Sequence, residues 1–157
     1  MKFSSKEDIE APIEFVFATA TDFQSFERQA MRRGAEVQRL DQLEEPGVGM
    51  AWKAGFTFRG KARKAEGKLV TFDPTHALGF STDIGGLHGE LDIQLVALTP
   101  NRTRIAVVFE MKPNTLSARL LLQSLRLAKA NLTRRFKGRI STFAKDVEER
   151  YSQTATV

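Results

Sequence analysis

Across its 157 residues the chain contains no cysteine. Disulfides and thiolate metal sites are therefore excluded, and the composition suits a reducing compartment. Histidine occurs only twice, as His76 and His88, so a His/Cys zinc site is not expected. Aromatic side chains that can hydrogen-bond are scarce too: one Trp and one Tyr stand against twelve Phe. No apolar stretch approaches the roughly 18 residues needed to span a bilayer. Met1-Lys2-Phe3-Ser4-Ser5-Lys6 lacks the apolar run of a signal peptide. The expectation is a soluble cytoplasmic protein. Gly47-Val48-Gly49 is too short for a phosphate-binding loop and opens no helix, so neither nucleotide nor other cofactor is expected.

What is present has the balance of an ordinary globular chain, with 41% hydrophobic and 27% charged residues. A chain of this length buries about two-thirds of the surface it would expose unfolded. One domain is expected over 1–150, followed by a disordered tail over 151–157. The charge is uneven. Residues 1–111 carry 14 Lys+Arg against 16 Asp+Glu, whereas residues 112–150 carry 10 against 3. The basic excess thus falls on the C-terminal segment, where it forms either a solvated helix face or an attractor for anionic partners.

Residues 2–10 read as a strand. Pro12 suits a first helical turn, and Ile13, Phe15, Val16 and Phe17 supply an apolar face. Thr21-Asp22 is a break and a new N-cap, with Phe23 and Phe26 anchoring a second short helix that ends near Gly34. Segment 35–43 is a strand candidate, and 46–49 a turn. Alternation is then clear: Met50, Trp52, Ala54, Phe56 and Phe58 share one strand face. A hairpin tip at Arg59-Gly60-Lys61 leads into 62–72. Leu78, Phe80, Thr82 and Ile84 follow, then Gly85-Gly86, then Leu87, Gly89, Leu91, Ile93 and Leu95. Ile105, Val107, Phe109 and Met111 complete the last strand. Short turns between consecutive strands imply an antiparallel meander. From Pro113 to Arg150 the pattern is one long amphipathic helix. Leu121, Leu125, Ala128, Leu132, Phe136, Ile140, Phe143 and Val147 form its sheet-facing stripe.

This order of strand, two short helices, six strands and long helix resembles the helix-grip fold of the START-like or SRPBCC superfamily. The local sequence is similar as well. Ile9-Glu10-Ala11-Pro12-Ile13-Glu14-Phe15-Val16-Phe17, ending in Thr21-Asp22, resembles the family's opening segment. Gly47-Val48-Gly49-Met50-Ala51-Trp52 resembles its Gly-x-Gly entry into the third strand, and Phe72-Asp73-Pro74 the end of its fourth. The resemblance covers about residues 2–148. It implies an α+β domain in which a curled antiparallel sheet of about seven strands wraps a long C-terminal helix. On activity it is open, since the superfamily includes lipid carriers, polyketide aromatases and cyclases, quinone-binding proteins, hormone receptors and chaperone activators.

A curled sheet with one helix leaves either a closed apolar core or a hollow. The candidate lining of such a hollow is Trp52, Phe56, Phe58 and Phe80 from the early strands. Leu91, Ile93, Phe109 and Met111 come from the later ones, and Leu121, Leu125 and Lys129 from the helix. Phe-rich walls suit an apolar guest such as a lipid, quinone or polyketide-like molecule. Lys129 maps to the edge of the stripe, where it either snorkels to solvent or meets an anionic ligand. A second stripe, Leu116, Leu120 and Leu127, needs its own partner. That partner is the pair of N-terminal helices, another subunit, or an anionic membrane assisted by Arg119, Arg126 and Arg134.

No catalytic set is evident. His88, Glu90 and Asp92 share a strand face, but it is the polar one, so metal binding is not expected. Glu110 and Arg32 are polar groups near the expected mouth. The reading is a binder or carrier of a small hydrophobic molecule, with an aromatase or cyclase, or a docking module, as alternatives. Nucleic acid is not an expected partner, because the basic residues are not interleaved with exposed aromatics.

Overall fold

Seven strands form a single antiparallel sheet in the order β1-β7-β6-β5-β4-β3-β2. They are β1 (Lys2–Ile9), β2 (Glu36–Arg39), β3 (Ala51–Phe58), β4 (Lys61–Asp73), β5 (Ala77–Ile84), β6 (Leu87–Thr99) and β7 (Arg102–Pro113). Two short helices, α1 (Ile13–Ala20) and α2 (Phe23–Arg32), follow β1, while α3 (Leu116–Arg126) and α4 (Lys129–Ala155) follow β7. The structure is a computed structural model that describes residues 1–155. The expected architecture and the positions of the two short helices stand.

Local chemistry explains the boundaries. Pro12 holds the extended backbone that precedes α1. The Asp22 carboxylate accepts the Ser25 N–H at 3.3 Å and so starts α2. Arg59 and Gly60 both have positive φ, as do Gly85 and Gly86, which gives two tight hairpins matched to the sheet twist. Across the sheet, Leu78 pairs with Ile93 and Ile93 with Val107, while Phe80 pairs with Leu91 and Leu91 with Phe109. The alternation read in each strand therefore converges on one apolar face.

That face packs on α4. Ala144 and Val147 are buried, and Phe136, Ile140 and Phe143 rest against the same core as Ile9, Val16 and Leu69. Phe3 of β1 meets Phe136 at 5.8 Å between ring centroids. Thr103 is fully buried, and its hydroxyl donates to the Ala11 carbonyl at 2.8 Å, so no polar group is stranded at the corner between β1 and α1.

Three expectations are corrected. First, the C-terminal segment is two helices, not one. The Leu127 and Ala128 N–H groups bond to Ser124 and Leu125 carbonyls, three residues back, which tightens the last turn of α3 and redirects the chain into α4. Tertiary packing accounts for the break. Ala118 and Leu122 seat α3 on Leu87, Met1 and Met111, whereas α4 follows β1. Second, residues 151–155 are not a tail but the end of α4, where Tyr151 stacks edge-on against Phe15 at 5.1 Å. Residues 156–157 lie outside the described residues. Third, β2 stops at Arg39 instead of running to residue 43.

The third correction has a clear cause. Asp41 accepts two hydrogen bonds from the Arg39 guanidinium, at 2.6 and 2.8 Å, and the N–H groups of Ala51 at 2.8 Å and Leu43 at 3.0 Å. These bonds hold its carboxyl well below the usual carboxylate range, Arg39 contributing most. Because the folded-state value is depressed, the stabilisation is complete above the unfolded carboxylate pKa of about 4 and fades as pH falls through the folded value. Asp41→Asn should lower the melting temperature at pH 7. The difference from the parent should narrow as thermal melts are taken below about pH 4.

Candidate ligand cavity

One helix over a seven-stranded sheet leaves space, and that space is a cavity of about 880 Å³ between the sheet, α2 and α4. Its floor is apolar: Leu91 and Ile93 of β6 lie beside Ile105 and Val107 of β7. Phe136 and Ile140 of α4 form one wall, and Phe56 of β3 another. The α2 side is more polar, with Ser25, Gln29 and Arg33. Phe26 of α2 and Phe143 of α4 face each other across the opening at 6.4 Å between rings. Arg139, Thr142, Asp146 and Arg150 of α4 complete the rim.

Phe56, Leu91 and Ile93 are the sequence-derived candidates that line this cavity. The others lie elsewhere. Trp52 packs with Phe23 at 5.3 Å and Phe80 at 6.2 Å, beneath the Arg39 guanidinium. Phe58 sits at the β3–β4 tip between Arg59 and Arg63. The Phe109 ring leans over Gly89, where a Cβ would lie 2.8 Å from it; only glycine leaves that room. Met111 packs under α3, where Leu125 is buried and Leu121 half-buried. Lys129 is exposed as the first residue of α4 and does not reach the cavity; the helix break moves it off the sheet-facing stripe.

The sequence reading placed Ile105, Val107, Phe136, Ile140 and Phe143 on the right faces without assigning them to the cavity. Periodicity identifies a face but not where along a strand the helix crosses it. Arg33, Arg139 and Arg150 carried no pattern that marked them out. Glu110 and Arg32 do not line the cavity, and Glu110 lies 3.4 Å from Lys112.

Polar chemistry inside is sparse. The lining contains no His, Lys, Tyr or Glu, and Asp146 is its single carboxylate. His88 lies 3.5 Å from Glu90, outside the cavity. Glu27 of α2 buries one carboxylate oxygen without a hydrogen-bond donor in the field of Arg39, also outside the cavity. Among the described residues no group of three or more His, Asp or Glu could hold a metal ion. No helix among them is long and apolar enough to cross a membrane.

The second leucine stripe does not pack on the N-terminal helices. Leu116, Leu120 and Leu127 are 73%, 58% and 93% exposed, and Arg119 and Arg126 are exposed beside them. The helix is fixed at both ends: Thr115 caps it by accepting the Ala118 N–H at 3.0 Å, and Ser124 is hydrogen-bonded by Arg59. Gly86 passes so close to Thr115 that a Cβ there would lie 2.6 Å from its hydroxyl. The β5–β6 hairpin thus underlies the start of α3.

No family model matches the sequence, and no curated protein matches it significantly. Solved structures do match the fold. The Zhui aromatase/cyclase of Streptomyces sp. R1128 aligns with a TM-score of 0.68 at 12% identity, covering 96% of this chain and 94% of that one. A point mutant of norcoclaurine synthase from Thalictrum, in complex with a transition-state analogue, aligns at 0.66 and 12%, covering 96% and 95%. A START superfamily protein from Mycobacterium smegmatis aligns at 0.56 and 14%, covering 90% and 97%. At these identities the likeness is one of architecture: the chain shares the helix-grip fold of these structures.

Proposed function

We propose that the protein binds and carries a small hydrophobic molecule, of lipid, quinone or polyketide-like class, without chemistry of its own. The observation that carries this reading is the cavity of about 880 Å³ with its floor of Leu91, Ile93, Ile105 and Val107. Its size falls in the range of about 300–1,000 Å³ typical of small-molecule sites. Each Å² of apolar surface a guest buries there contributes about 25 cal/mol. An enzymatic reading, by analogy with the aromatase/cyclase and the synthase, asks for polar groups converging on the guest. The lining supplies hydroxyls, an amide, three arginines and the Asp146 carboxylate at the rim, but no histidine, lysine or tyrosine to move a proton at neutral pH. That scarcity favours carriage. The absence of cysteine favours a reducing compartment such as the cytoplasm.

A second reading has its own observation. The exposed leucines of α3 lie in a stretch without acidic residues: between Glu110 and Asp146 there are nine Lys and Arg and no Asp or Glu. The neighbouring hairpin tip adds Arg59, Lys61 and Arg63. We infer that α3 docks the protein on an anionic lipid surface. Apolar side chains would enter the interface, and each nearby cation would add about 1 kcal/mol. Pairing two copies through the same face would bring like charges together.

Native mass spectrometry of freshly purified protein, followed by solvent extraction, should reveal one apolar guest per chain. Ile140→Trp, which fills the cavity from the α4 side, should lose that guest while keeping its fold by circular dichroism. Undiminished loading of the variant would sink the carrier reading. In sedimentation with vesicles, the protein should follow phosphatidylglycerol but not phosphatidylcholine, and Leu120→Glu with Leu127→Glu should abolish this. Indifference to vesicle charge, or a dimer that the double variant disrupts, would discard the membrane reading.

A further inference from the structure

The rim of the cavity has a charge pattern that an apolar guest alone does not use. Arg139, Asp146 and Arg150 line it from α4. At about 100° per residue they fall within roughly 40° of one another, a single stripe about three turns long. Arg33, which caps α2, lines the same cavity from the opposite side. Three guanidiniums therefore meet one carboxylate around an otherwise neutral hollow.

Like most arginines of the chain these three are not drawn into ion pairs; what sets them apart is their place on the cavity. Arg39, Arg102 and Arg104 are committed to Asp41, Asp8 and Glu10 through ion pairs. Among the described residues Arg33, Arg139 and Arg150 have no such pairing, even though Asp146 sits one turn from Arg150 on the same stripe. Guanidinium groups are weakly hydrated and present forked donors that match carboxylate, sulfonate or phosphate oxygens.

Building on the carrier reading, we infer that the guest is an anionic amphiphile. Its apolar body lies on β6 and β7 and its charged group faces outward to Arg33, Arg139 and Arg150. The orientation follows from where each chemistry is found. Leu91, Ile93, Ile105 and Val107 form the floor, where a charge would be stripped of water without a partner. The three arginines are exposed at the rim, where an anion keeps part of its hydration and gains cationic neighbours. Contacts so exposed are modest and screened by salt, so the effect is a preference among apolar guests and not the main source of affinity.

Two fluorescent probes with the same aromatic skeleton separate this inference from the reading beneath it. N-phenylnaphthylamine is neutral, and anilinonaphthalene sulfonate carries one negative charge. At low salt the sulfonate should bind about fivefold more tightly, the scale that a few exposed charge contacts supply. The advantage should shrink as salt is raised. Replacing Arg33, Arg139 and Arg150 together by Gln should remove the difference between the two probes. Equal binding of the two probes by the parent protein would overturn the inference while leaving the carrier reading intact. So would a sulfonate advantage that survives the triple variant, because that signal would come from another face such as α3. Failure of both probes to bind would instead count against the carrier reading itself.

Discussion

A seven-stranded antiparallel sheet is about 29 Å wide at 4.8 Å per strand step, whereas a helix with its side chains is about 10–12 Å across. One helix cannot cover such a face, and α4 lies toward the β1 edge. Everything else in the molecule follows from that mismatch. Curling brings the far strands back toward α4, and α1 and α2 close part of the gap, with Phe17 against Phe72 and Phe23 against Phe80. What remains uncovered is the cavity. It lies beside the packed core, with β6 and β7 beneath it, α4 on one side, and α2 and Phe56 of β3 on the other.

Much of the architecture was legible in the sequence because period-2 alternation, capping chemistry and hairpin turns are local signals. Asp22 capping α2 and Gly85-Gly86 turning β5 into β6 needed nothing beyond their neighbours. The errors came where tertiary contacts override local pattern. The break at Leu127-Ala128 carries no proline or glycine, and leucine periodicity runs straight through it. It exists because Ala118 and Leu122 are drawn onto Leu87 and Met111 while Phe136 and Val147 are drawn onto the main core. The end of β2 was missed for a similar reason, since the Asp41 carboxylate takes backbone N–H groups from Leu43 and Ala51.

The candidate site was legible only in outline. Phe56, Leu91 and Ile93 were identified because they sit mid-strand on the inner face. Trp52, Phe80 and Phe109 share that face but are consumed by contacts with other aromatics or with Gly89. Large apolar residues on an inner face compete for two fates, core and cavity wall, and the choice depends on which strand the helix crosses. The rim arginines were invisible because an exposed arginine on a basic helix is unremarkable until a hollow is found beside it. The second leucine stripe, by contrast, was recognised from spacing alone, and its exposure on a short, separately anchored helix gives it a geometry that spacing could not.

Trp52 is the chain's single tryptophan, and its indole forms a triangle of rings with Phe23 of α2 and Phe80 of β5. It does not line the cavity, but α2 does, through Ser25, Phe26, Gln29 and Arg33. Any guest that pushes α2 outward must therefore change the environment of this one chromophore without touching it. The protein carries an optical gauge of its own wall position, free of direct quenching by whatever it holds.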